Sequence, residues 1–405
     1  MLLTWAASSG LNPTLSLDFL TPVLDGRITA SGGANGTRVN SSGLIVAATT
    51  PRFDYNPVTL ACKGLLVEEA RTNLVPKSSG AGISAGIGST VSGITSSVVG
   101  TGTESGLDYV DIRIAGTPAL ASIALDPYLF GTFPQFALSA GASNSLSAYG
   151  RVVSSTGGPI TPKLYLVWET GASAFLGLAS LSLDTGAASI GKGRSSVSGT
   201  SPASTAQGRV ALAAEGMTAG VAVDVTVRIG GCQAEVGAFP TSYIPTTNAA
   251  VTRTADSLTM TGTNFSSWFN AAAFSGLAQF TVGSGVGTQP IISYDDNSSN
   301  NQVRLYVSGT SLKFTVTTGG STVADLTLGS VTAGSTYKAA FACAANDFAA
   351  VMTGGSVQTD TSGALPTVDR ARIGSDQAGN YFDGWQQSFK AYPRRLTNAQ
   401  LQVLT

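Results

Sequence analysis

The residues best suited to chemistry in this sequence are carboxylates. Three pairs stand close together: Glu68 with Glu69, Asp108 with Asp111, and Asp295 with Asp296. Two carboxylates about 5–9.5 Å apart can cleave a glycosidic bond without a histidine. The sequence contains no histidine, which excludes Ser-His-Asp catalysis, Cys-His catalysis and zinc sites that use histidine. An enzyme would have to rely on carboxylates alone, and because no pair forms a convincing catalytic constellation, we expect that the protein is not an enzyme.

A polar segment between two predicted strands is the best candidate for a ligand site. Its carboxylate and amide oxygens suit calcium, although their spacing does not match an EF-hand, and its tyrosine offers a ring for stacking. A tryptophan that opens a late strand could stack on a sugar. The structural alternatives are a solvated hairpin loop and a core tryptophan. The candidate ligand-binding residues are Tyr294, Asp295, Asp296, Asn297, Asn300, Asn301, Asp383 and Trp385. Asp295 and Asp296 are the candidate calcium ligands, and we expect no other metal and no cofactor.

The chain carries little charge. Only 11% of its 405 residues are charged, and 22 basic residues nearly balance 23 acidic ones. Typical soluble proteins have about 25% charged residues. A composition with 49 glycines and abundant serine and threonine suits closely paired strands and surfaces that other subunits cover. We therefore expect a homo-oligomer or attachment to a larger particle.

Several partners and compartments are excluded by the same sequence. No basic run is present, so we expect no nucleic-acid partner. No stretch reaches about 18 apolar residues, so we expect no membrane insertion. The first residues lack the basic and apolar regions of a secretion signal, which predicts synthesis in a cytoplasm. Cys62, Cys232 and Cys343 are far apart and odd in number, which predicts buried thiols rather than disulfides.

Alternation of apolar and polar residues predicts an all-β fold. In residues 221–229 every odd position carries a branched aliphatic side chain, which is typical of a strand with one buried face. Similar strands recur along the chain with Gly, Ser and Pro between them, a pattern typical of a β-sandwich or jelly roll. We expect Gly230 and Gly231 to end this strand. Thr397 and Gln400 form a capping box, which predicts a short helix over residues 400–404.

Three segments resemble a family of phage virion proteins that are described as head-spike or tail-fibre proteins. Residues 51–74 contain PRFDYNPVT and GLLVEEARTNL, which are similar to the N-terminal signature of that family. Residues 233–246, QAEVGAFPTSYIPT, resemble the end of its jelly-roll modules. Residues 382–397, which begin FDGW and end RRLT, resemble the end of a concanavalin-like (laminin-G-like) sandwich.

The resemblance implies a virion-docking unit at residues 1–75, a jelly-roll sandwich similar to carbohydrate-binding modules at 76–248, and a concanavalin-like sandwich at 249–405. It implies a structural protein on the virion surface that contacts host-surface polysaccharide, with sister copies and other virion proteins as partners. The alternatives are a free carbohydrate-binding protein of bacterial origin and a carboxylate-based polysaccharide depolymerase. The residues of the implied docking segment are Arg52, Asp54, Tyr55, Glu68, Glu69 and Arg71.

Overall fold

The computed structural model describes residues 11–78, 90–126, 135–184 and 186–405. The predicted all-β fold is confirmed, because strands dominate every part of the chain that is described. The helices in these ranges are short: α1 (Thr263–Ser266), α2 (Asn398–Leu404) and a single 3-10 turn at Ile190–Lys192. None of the helices within the described ranges is long and apolar enough to cross a membrane.

Thirty strands are found in the described ranges. Those before residue 78 are short: β1 (Leu15–Asp18), β2 (Thr29–Ser31), β3 (Thr37–Val39), β4 (Ile45–Ala47), β5 (Phe53–Tyr55), β6 (Cys62–Val67) and β7 (Arg71–Asn73). The middle of the chain contributes β8 (Thr90–Val91), β9 (Ile94–Glu104), β10 (Leu107–Gly116), β11 (Ile123–Asp126), β12 (Phe136–Ala137), β13 (Ser143–Gly157), β14 (Thr161–Glu169), β15 (Phe175–Ser182), β16 (Arg194–Thr200), β17 (Gln207–Glu215) and β18 (Val223–Val236). The remainder contributes β19 (Val251–Arg253), β20 (Ser257–Thr261), β21 (Ala273–Val282), β22 (Thr288–Asp295), β23 (Gln302–Ser308), β24 (Ser311–Thr318), β25 (Ser321–Ser330), β26 (Thr336–Ala344), β27 (Asp347–Met352), β28 (Gln358–Asp360), β29 (Arg370–Ile373) and β30 (Gly384–Tyr392).

The middle strands form one β-sandwich, which we call the inserted sandwich (described residues between 90 and 236). One sheet has the order β16-β13-β18-β10-β9-β8, and the other has the order β11-β17-β14-β15 with β12 beside β17. In β18 the branched side chains from Val223 to Ile229 are buried at alternate positions, as the sequence pattern predicts. Burial of each such side chain contributes about 1.5–3 kcal/mol.

The remaining long strands form a second sandwich from two separate parts of the chain, residues 11–73 and 251–405, which we call the split sandwich. One sheet has the order β28-β27-β26-β21-β30-β6-β5 with β1 beside β30, and the facing sheet has the order β2-β20-β29-β22-β23-β24-β25. The core between the sheets includes Leu17 of β1, Leu65 of β6, Phe314 of β24 and Phe341 of β26. The rings of Phe314 and Phe341 stack with centroids 5.0 Å apart.

This arrangement differs from the predicted N-terminal unit at residues 1–75. Strands β1 and β6 pair with β30 of the last third of the chain, β5 pairs with β6, and β2 pairs with β20. An isolated pair of strands is only marginally stable in water, and these strands complete sheets made by later strands. The chain leaves the split sandwich after β7 and returns at β19, and these two strands pair, with Asn73 opposite Val251 and Arg71 opposite Arg253. We call the β7–β19 pair the stem.

The prediction that two glycines end β18 is wrong. The strand continues to Val236, and the glycines lie in a β-bulge instead. On β13 only Ala148 separates Ser147 from Tyr149, whereas two residues separate their partners on β18. Gly231 adopts φ +56°, and a Cβ on Gly230 would lie 2.4 Å from the carbonyl oxygen of Asp108, so both positions require glycine.

Two local predictions in the last third are confirmed. Thr397 Oγ1 accepts a hydrogen bond from the Gln400 amide at 3.2 Å, and Gln400 Oε1 accepts one from the Thr397 amide at 2.9 Å, which completes the capping box. Helix α2 begins at Asn398, two residues before the predicted start. Leu396 and Leu401, on either side of the cap, are both buried in one small cluster.

Candidate functional site

A cavity of about 320 Å³ opens at the junction between the two sandwiches. Its walls come from β3 to β6 and the start of β30 on the split sandwich, from β13, the 3-10 turn and β16 on the inserted sandwich, and from residues 240–243 between them. Ligand sites are common at such interfaces between modules. We call it the junction cavity; its lining includes Arg38, Asp54, Lys63, Arg194, Ser242 and Trp385.

The segment between the sandwiches, residues 239–246, is held in place by the buried half of β18. Glu235 accepts hydrogen bonds from the amide and hydroxyl of Thr241 at 2.9 and 2.6 Å. Gln233 Oε1 accepts one from the Ile244 amide at 2.7 Å. Two polar side chains at alternate positions of the strand therefore fix the backbone that forms one wall of the cavity.

Trp385 forms part of another wall, where β30 pairs with β6. Its Nε1 donates a hydrogen bond to Asp54 Oδ2 at 2.9 Å. Lys63 Nζ lies 3.1 Å from the centroid of the indole ring and 3.9 Å from Asp54 Oδ2. Asp54 Oδ1 also accepts a hydrogen bond from the Val39 amide at 2.8 Å. Trp385 is half-buried and lines the cavity, so its ring is not part of the core, and its role in ligand binding stays a prediction.

Burial shifts the titration of these groups. It raises the pKa of Asp54, although the Lys63 charge and the hydrogen bonds from Val39 and Trp385 act in the opposite direction. It lowers the pKa of Lys63, against the charge of Asp54. Asp383, the other predicted ligand residue that lines the cavity, is also buried, and burial raises its pKa well above the usual value. Burial in the cavity wall therefore disfavours the charged form of these groups, whether acidic or basic.

A buried ionic network lies behind the cavity. Arg52 pairs with Glu68 at 2.7 Å and with Asp256, and Arg253 lies 3.6 Å from Glu68 and 3.7 Å from Asp256. Glu68 also accepts hydrogen bonds from the amide and hydroxyl of Ser242 at 2.7 and 2.6 Å. Burial alone would raise the pKa of Glu68, but Arg253, Arg52 and Ser242 outweigh burial and lower it to about 2. Two cations and two anions thus balance inside the protein.

Cations that the sequence analysis did not single out line the same cavity. Arg194 Nη2 donates to Ser147 Oγ at 3.0 Å and to the Thr241 carbonyl at 2.6 Å, and its guanidinium carbon lies 5.4 Å from the Tyr149 ring centroid. Arg38 Nη1 donates a long hydrogen bond of 3.4 Å to the Phe53 carbonyl. Within the described ranges the buried Nε atoms of both arginines have no hydrogen-bond partner. Single basic residues far apart in sequence carry no recognisable motif, which is why only the fold reveals this set.

Most side chains of the segment predicted to dock on the virion form contacts within this chain. Arg52 and Glu68 are 1% and 3% exposed, so neither side chain offers a surface to another protein, and the prediction is corrected for these two. Asp54 is buried against the cavity. Arg71 pairs with Glu69 and also donates to the Val236 carbonyl. A docking role for Glu69, Arg71 and the half-buried Tyr55 stays a prediction.

The predicted stacking role of Tyr294 is wrong because its ring is in the core. The side chain is 1% exposed and packs against Phe265, Phe269 and Phe274, with ring centroids 5.5 to 6.0 Å apart. Alternation explains the error, since Tyr294 is the last inward-facing residue before the polar loop begins.

The two carboxylates predicted to bind calcium have different partners. Asp295 is buried and accepts hydrogen bonds from Arg372 at 2.8 and 3.3 Å. Asp296 accepts hydrogen bonds from Ser298 Oγ at 2.6 Å and from Asn301 Nδ2 at 2.8 Å. Arg372 occupies the space beside Asp295 that a metal cation would need. Asp296 is bonded to other residues of its own loop, as in an ordinary hairpin loop.

The asparagines of the same loop accept hydrogen bonds from residues outside it. Asn297 Oδ1 accepts a hydrogen bond from Arg372 Nη2 at 2.8 Å, and Asn301 Oδ1 accepts one from the Gly319 amide at 3.0 Å. Asn300 is exposed at the tip of the loop, and its carbonyl accepts a hydrogen bond from the Gly320 amide at 2.9 Å. Among the residues that the structure describes, no group of three or more Cys, Asp or Glu side chains is placed to hold a metal ion.

Comparison with known proteins gives no family. No family model matches the chain, and no curated protein matches it. Solved structures that resemble it include the CBM40 module of a Ruminococcus gnavus IT-sialidase bound to α2,3-sialyllactose, with 14% identity over 34% of this chain and 84% of that one and a TM-score of 0.30. The NanB sialidase of Streptococcus pneumoniae has 9% identity over 36% of this chain and 26% of that one, with a TM-score of 0.31. A Trypanosoma rangeli sialidase in complex with the inhibitor DANA has 12% identity over 76% of this chain and 52% of that one, with a TM-score of 0.28.

Proposed function

We propose that this protein belongs to the surface of a bacteriophage virion, as a head spike or a tail fibre, and that its junction cavity binds a glycan of the host envelope. The virion role is supported by the three segments of sequence that resemble head-spike and tail-fibre proteins. Low charge supports it too, because a surface poor in charge is suited to contact with sister copies or with a particle.

One observation carries the glycan-binding proposal: the half-buried Trp385 ring forms a wall of the junction cavity beside several hydrogen-bonding groups. Sugars present apolar C–H surfaces between hydroxyls, so a site for them needs an aromatic surface and nearby donors and acceptors. The cavity volume of about 320 Å³ is of the size that small-ligand sites have, roughly 300–1,000 Å³.

Lys63 supplies the donors for such a ligand. Its ammonium group has three N–H donors, and its ion-pair acceptor in the described ranges, Asp54 Oδ2, is 3.9 Å away. Nζ lies over one face of the indole. A sugar that packs beside it on the exposed part of the ring would contact the aromatic surface and the ammonium group together. Ser242, also on the cavity wall, adds a hydroxyl that Glu68 holds in a fixed position.

The glycan proposal is tested by binding to an array of bacterial-surface polysaccharides, followed by calorimetry with the best ligand. Trp385→Ala and Lys63→Ala are each expected to weaken binding at least about tenfold. The matched control is Phe175→Ala, which removes an aromatic ring that is 63% exposed on the inserted sandwich and does not line the cavity. Unchanged affinity in both cavity variants, each shown by circular dichroism to be folded at the temperature of the measurement, would remove the cavity as the glycan site.

The virion proposal is tested separately by electron microscopy of particles from which the gene has been deleted. Loss of one type of appendage is expected, and intact particles that keep every appendage would refute the proposal. Light scattering of the purified protein distinguishes the alternative of a free carbohydrate-binding protein. A homo-oligomer is expected, whereas a stable monomer that binds glycans would favour the alternative.

A second candidate function is hydrolysis of a polysaccharide, and one observation favours it. Asp54 and Glu68 both line the cavity, and their pKa values are shifted in opposite directions, as in many acid–base pairs. Against this, Glu68 is held by Arg52, Arg253 and Ser242, which leaves it poorly placed to contact a substrate. Appearance of new reducing ends in a capsule digest, abolished by Asp54→Asn, would establish the activity.

A further inference from the structure

We infer that the glycan bound in the junction cavity is acidic, and that a sugar carboxylate, such as that of a hexuronic acid, is bound by Arg194 together with Lys192 and Arg38. This inference rests on the proposed glycan-binding function and names the class of its ligand. It follows from basic groups around the cavity that lack an anionic partner.

Arg194 is the best-positioned of these groups. Its Nη2 is anchored by Ser147 and by the Thr241 carbonyl, and the guanidinium lies beside the Tyr149 ring. These contacts fix the plane of the guanidinium. Its charge acts on the nearby carboxyl of Glu235, but the two residues form no ion pair, and burial raises the pKa of Glu235. Its Nε is buried with no hydrogen-bond partner in the described ranges. A carboxylate that reaches this guanidinium from the cavity would form charge-assisted hydrogen bonds with it.

Arg38 and Lys192 add positive charge to the same cavity. The described hydrogen bond of Arg38 is a single long one, 3.4 Å from Nη1 to the Phe53 carbonyl, and its buried Nε has no partner among the described residues. Lys192 is exposed in the 3-10 turn beside the cavity. None of the ion pairs found between described residues includes Arg38, Lys192 or Arg194, although Arg52 and Arg253 behind the cavity each have two carboxylates.

The carboxylates of the cavity do not offset this charge. Glu68 is balanced by the buried arginines, and Asp54 is held by Trp385, Lys63 and the Val39 amide. Burial also raises the pKa of Asp383, which favours its neutral form. Arg38, Lys192 and Arg194 therefore give the cavity a positive charge that a neutral sugar does not compensate and that the carboxylate of an acidic sugar does.

The test compares acidic oligosaccharides with their carboxyl-reduced counterparts, which keep the same hydroxyls and linkages. The probes are trimers of galacturonic acid and of glucuronic acid and an oligosaccharide that ends in N-acetylneuraminic acid, each beside its reduced form, measured by calorimetry at 0.15 M salt. We expect at least one acid to bind at least about tenfold more tightly than its reduced form, and we expect this preference to fall at 1 M salt.

The variants Arg194→Gln and Lys192→Ala identify the groups responsible. Lys192 is exposed, so its variant is expected to fold normally, and each change is expected to bring the ratio of the acid's affinity to the reduced form's affinity close to one. The matched control is Arg113→Gln, which removes an arginine that pairs with Asp224 on the surface of β10, away from the cavity.

The outcomes separate the two proposals. Equal binding of acids and reduced forms, with Trp385→Ala still weakening both, would overturn the acidic ligand and leave glycan binding in place. A preference for acids that persists in Arg194→Gln and Lys192→Ala would also overturn the inference. Absence of binding by every probe, acidic or reduced, would overturn both the inference and the glycan function on which it rests.

Discussion

Trp385 Nε1 donates a hydrogen bond to Asp54 Oδ2 at 2.9 Å, across 331 residues of chain. Nearby, Ser242 Oγ donates to Glu68 at 2.6 Å. The three segments that resemble phage spike and fibre proteins therefore meet at one place in the fold, because Asp54 and Glu68 belong to the first segment, Ser242 to the second and Trp385 to the third. Their shared structural role is to join the two sandwiches around the junction cavity.

The bond between Trp385 and Asp54 leads to the first prediction. Trp385→Phe keeps an aromatic ring but removes the donor, which leaves the buried carboxylate of Asp54 with fewer partners. We expect a loss of about 1–3 kcal/mol in the free energy of unfolding, measured with denaturant. Trp168→Phe is the control, because Trp168 is buried in the inserted sandwich and its Nε1 has no partner among the described residues. Equal losses in the two variants would contradict the prediction.

The buried ionic network gives a prediction with a defined pH range. Glu68→Gln leaves Arg52 and Arg253 with only Asp256, and removal of one member of a buried ion pair typically costs about 3–5 kcal/mol at pH 7. The control is Glu69→Gln at the neighbouring position, which breaks the partly exposed ion pair with Arg71. It is expected to lower the free energy of unfolding by less than about 1 kcal/mol.

The pH dependence of the Glu68→Gln effect has a fixed sign. The pKa of Glu68 is about 2 in the folded protein and near 4.5 when unperturbed, so the folded state holds its proton more weakly than the unfolded state. The stabilisation is complete above pH 4.5 and is lost as the pH falls toward 2. Denaturation at pH 7, 4 and 2.5 should show the difference between wild type and Glu68→Gln shrinking, and a constant difference would count against the network.

Asn73, at the end of the stem, gives a third prediction. The side chain is fully buried, its Nδ2 donates to the carbonyls of Cys232 and Ile244 at 3.2 and 2.9 Å, and its Oδ1 accepts from the amides of Val75 and Ala234 at 3.1 and 3.2 Å.

Asn73→Ala would leave these backbone groups unsatisfied, so we expect a loss of at least about 2 kcal/mol in the free energy of unfolding. The control is Thr72→Ala, on the same strand as Asn73, which removes only an exposed contact with Thr252 of β19. It is expected to cost less than about 1 kcal/mol. Thermal and chemical denaturation measure both, and a mild effect of Asn73→Ala would show that water replaces the amide.

The bulge in β18 supports a fourth prediction. In Gly230→Ala the new methyl group would meet the Asp108 carbonyl at 2.4 Å, so the strand must shift away from β10. We expect a loss of about 1–3 kcal/mol. Gly26→Ala, at an exposed position with nothing within 4 Å of the new atom, is expected to stay within about 0.5 kcal/mol of wild type. Similar stabilities of the two variants would be evidence against a tight contact at the bulge.

The alternation of apolar and polar residues predicted where strands occur but not which strands pair with each other in the sheets. In β18 the pattern identifies which side chains are buried, because that depends only on local geometry. The pairing of β1 with β30 and of β2 with β20 depends on contacts between distant parts of the chain, which a local pattern does not contain. The insertion of one sandwich into the other was missed for this reason, and the bulge was missed because glycines that break strands and glycines that distort them look alike in sequence.

The candidate site was only partly predictable for a similar reason. Trp385 and Asp383 were identified by their type and now line the cavity. Arg38, Lys63 and Arg194 were not identified, because each is an isolated basic residue until the fold brings it to the cavity. Tyr294 and Asp295 were misread because the polar loop beside them hides the burial of both residues: Tyr294 points into the core, and Asp295, on the opposite face, is covered by Arg372.

The split sandwich constrains the order of events during translation. Strands β1, β5 and β6 need β30, and a ribosome that adds roughly 5–20 residues per second takes on the order of 20–60 s to travel from Asp54 to Trp385. All described strands of the inserted sandwich emerge before β30, so that module can close first. Until β30 emerges, β1 and β6 keep open strand edges, and such edges can pair with a neighbouring copy of the chain on the same polysome.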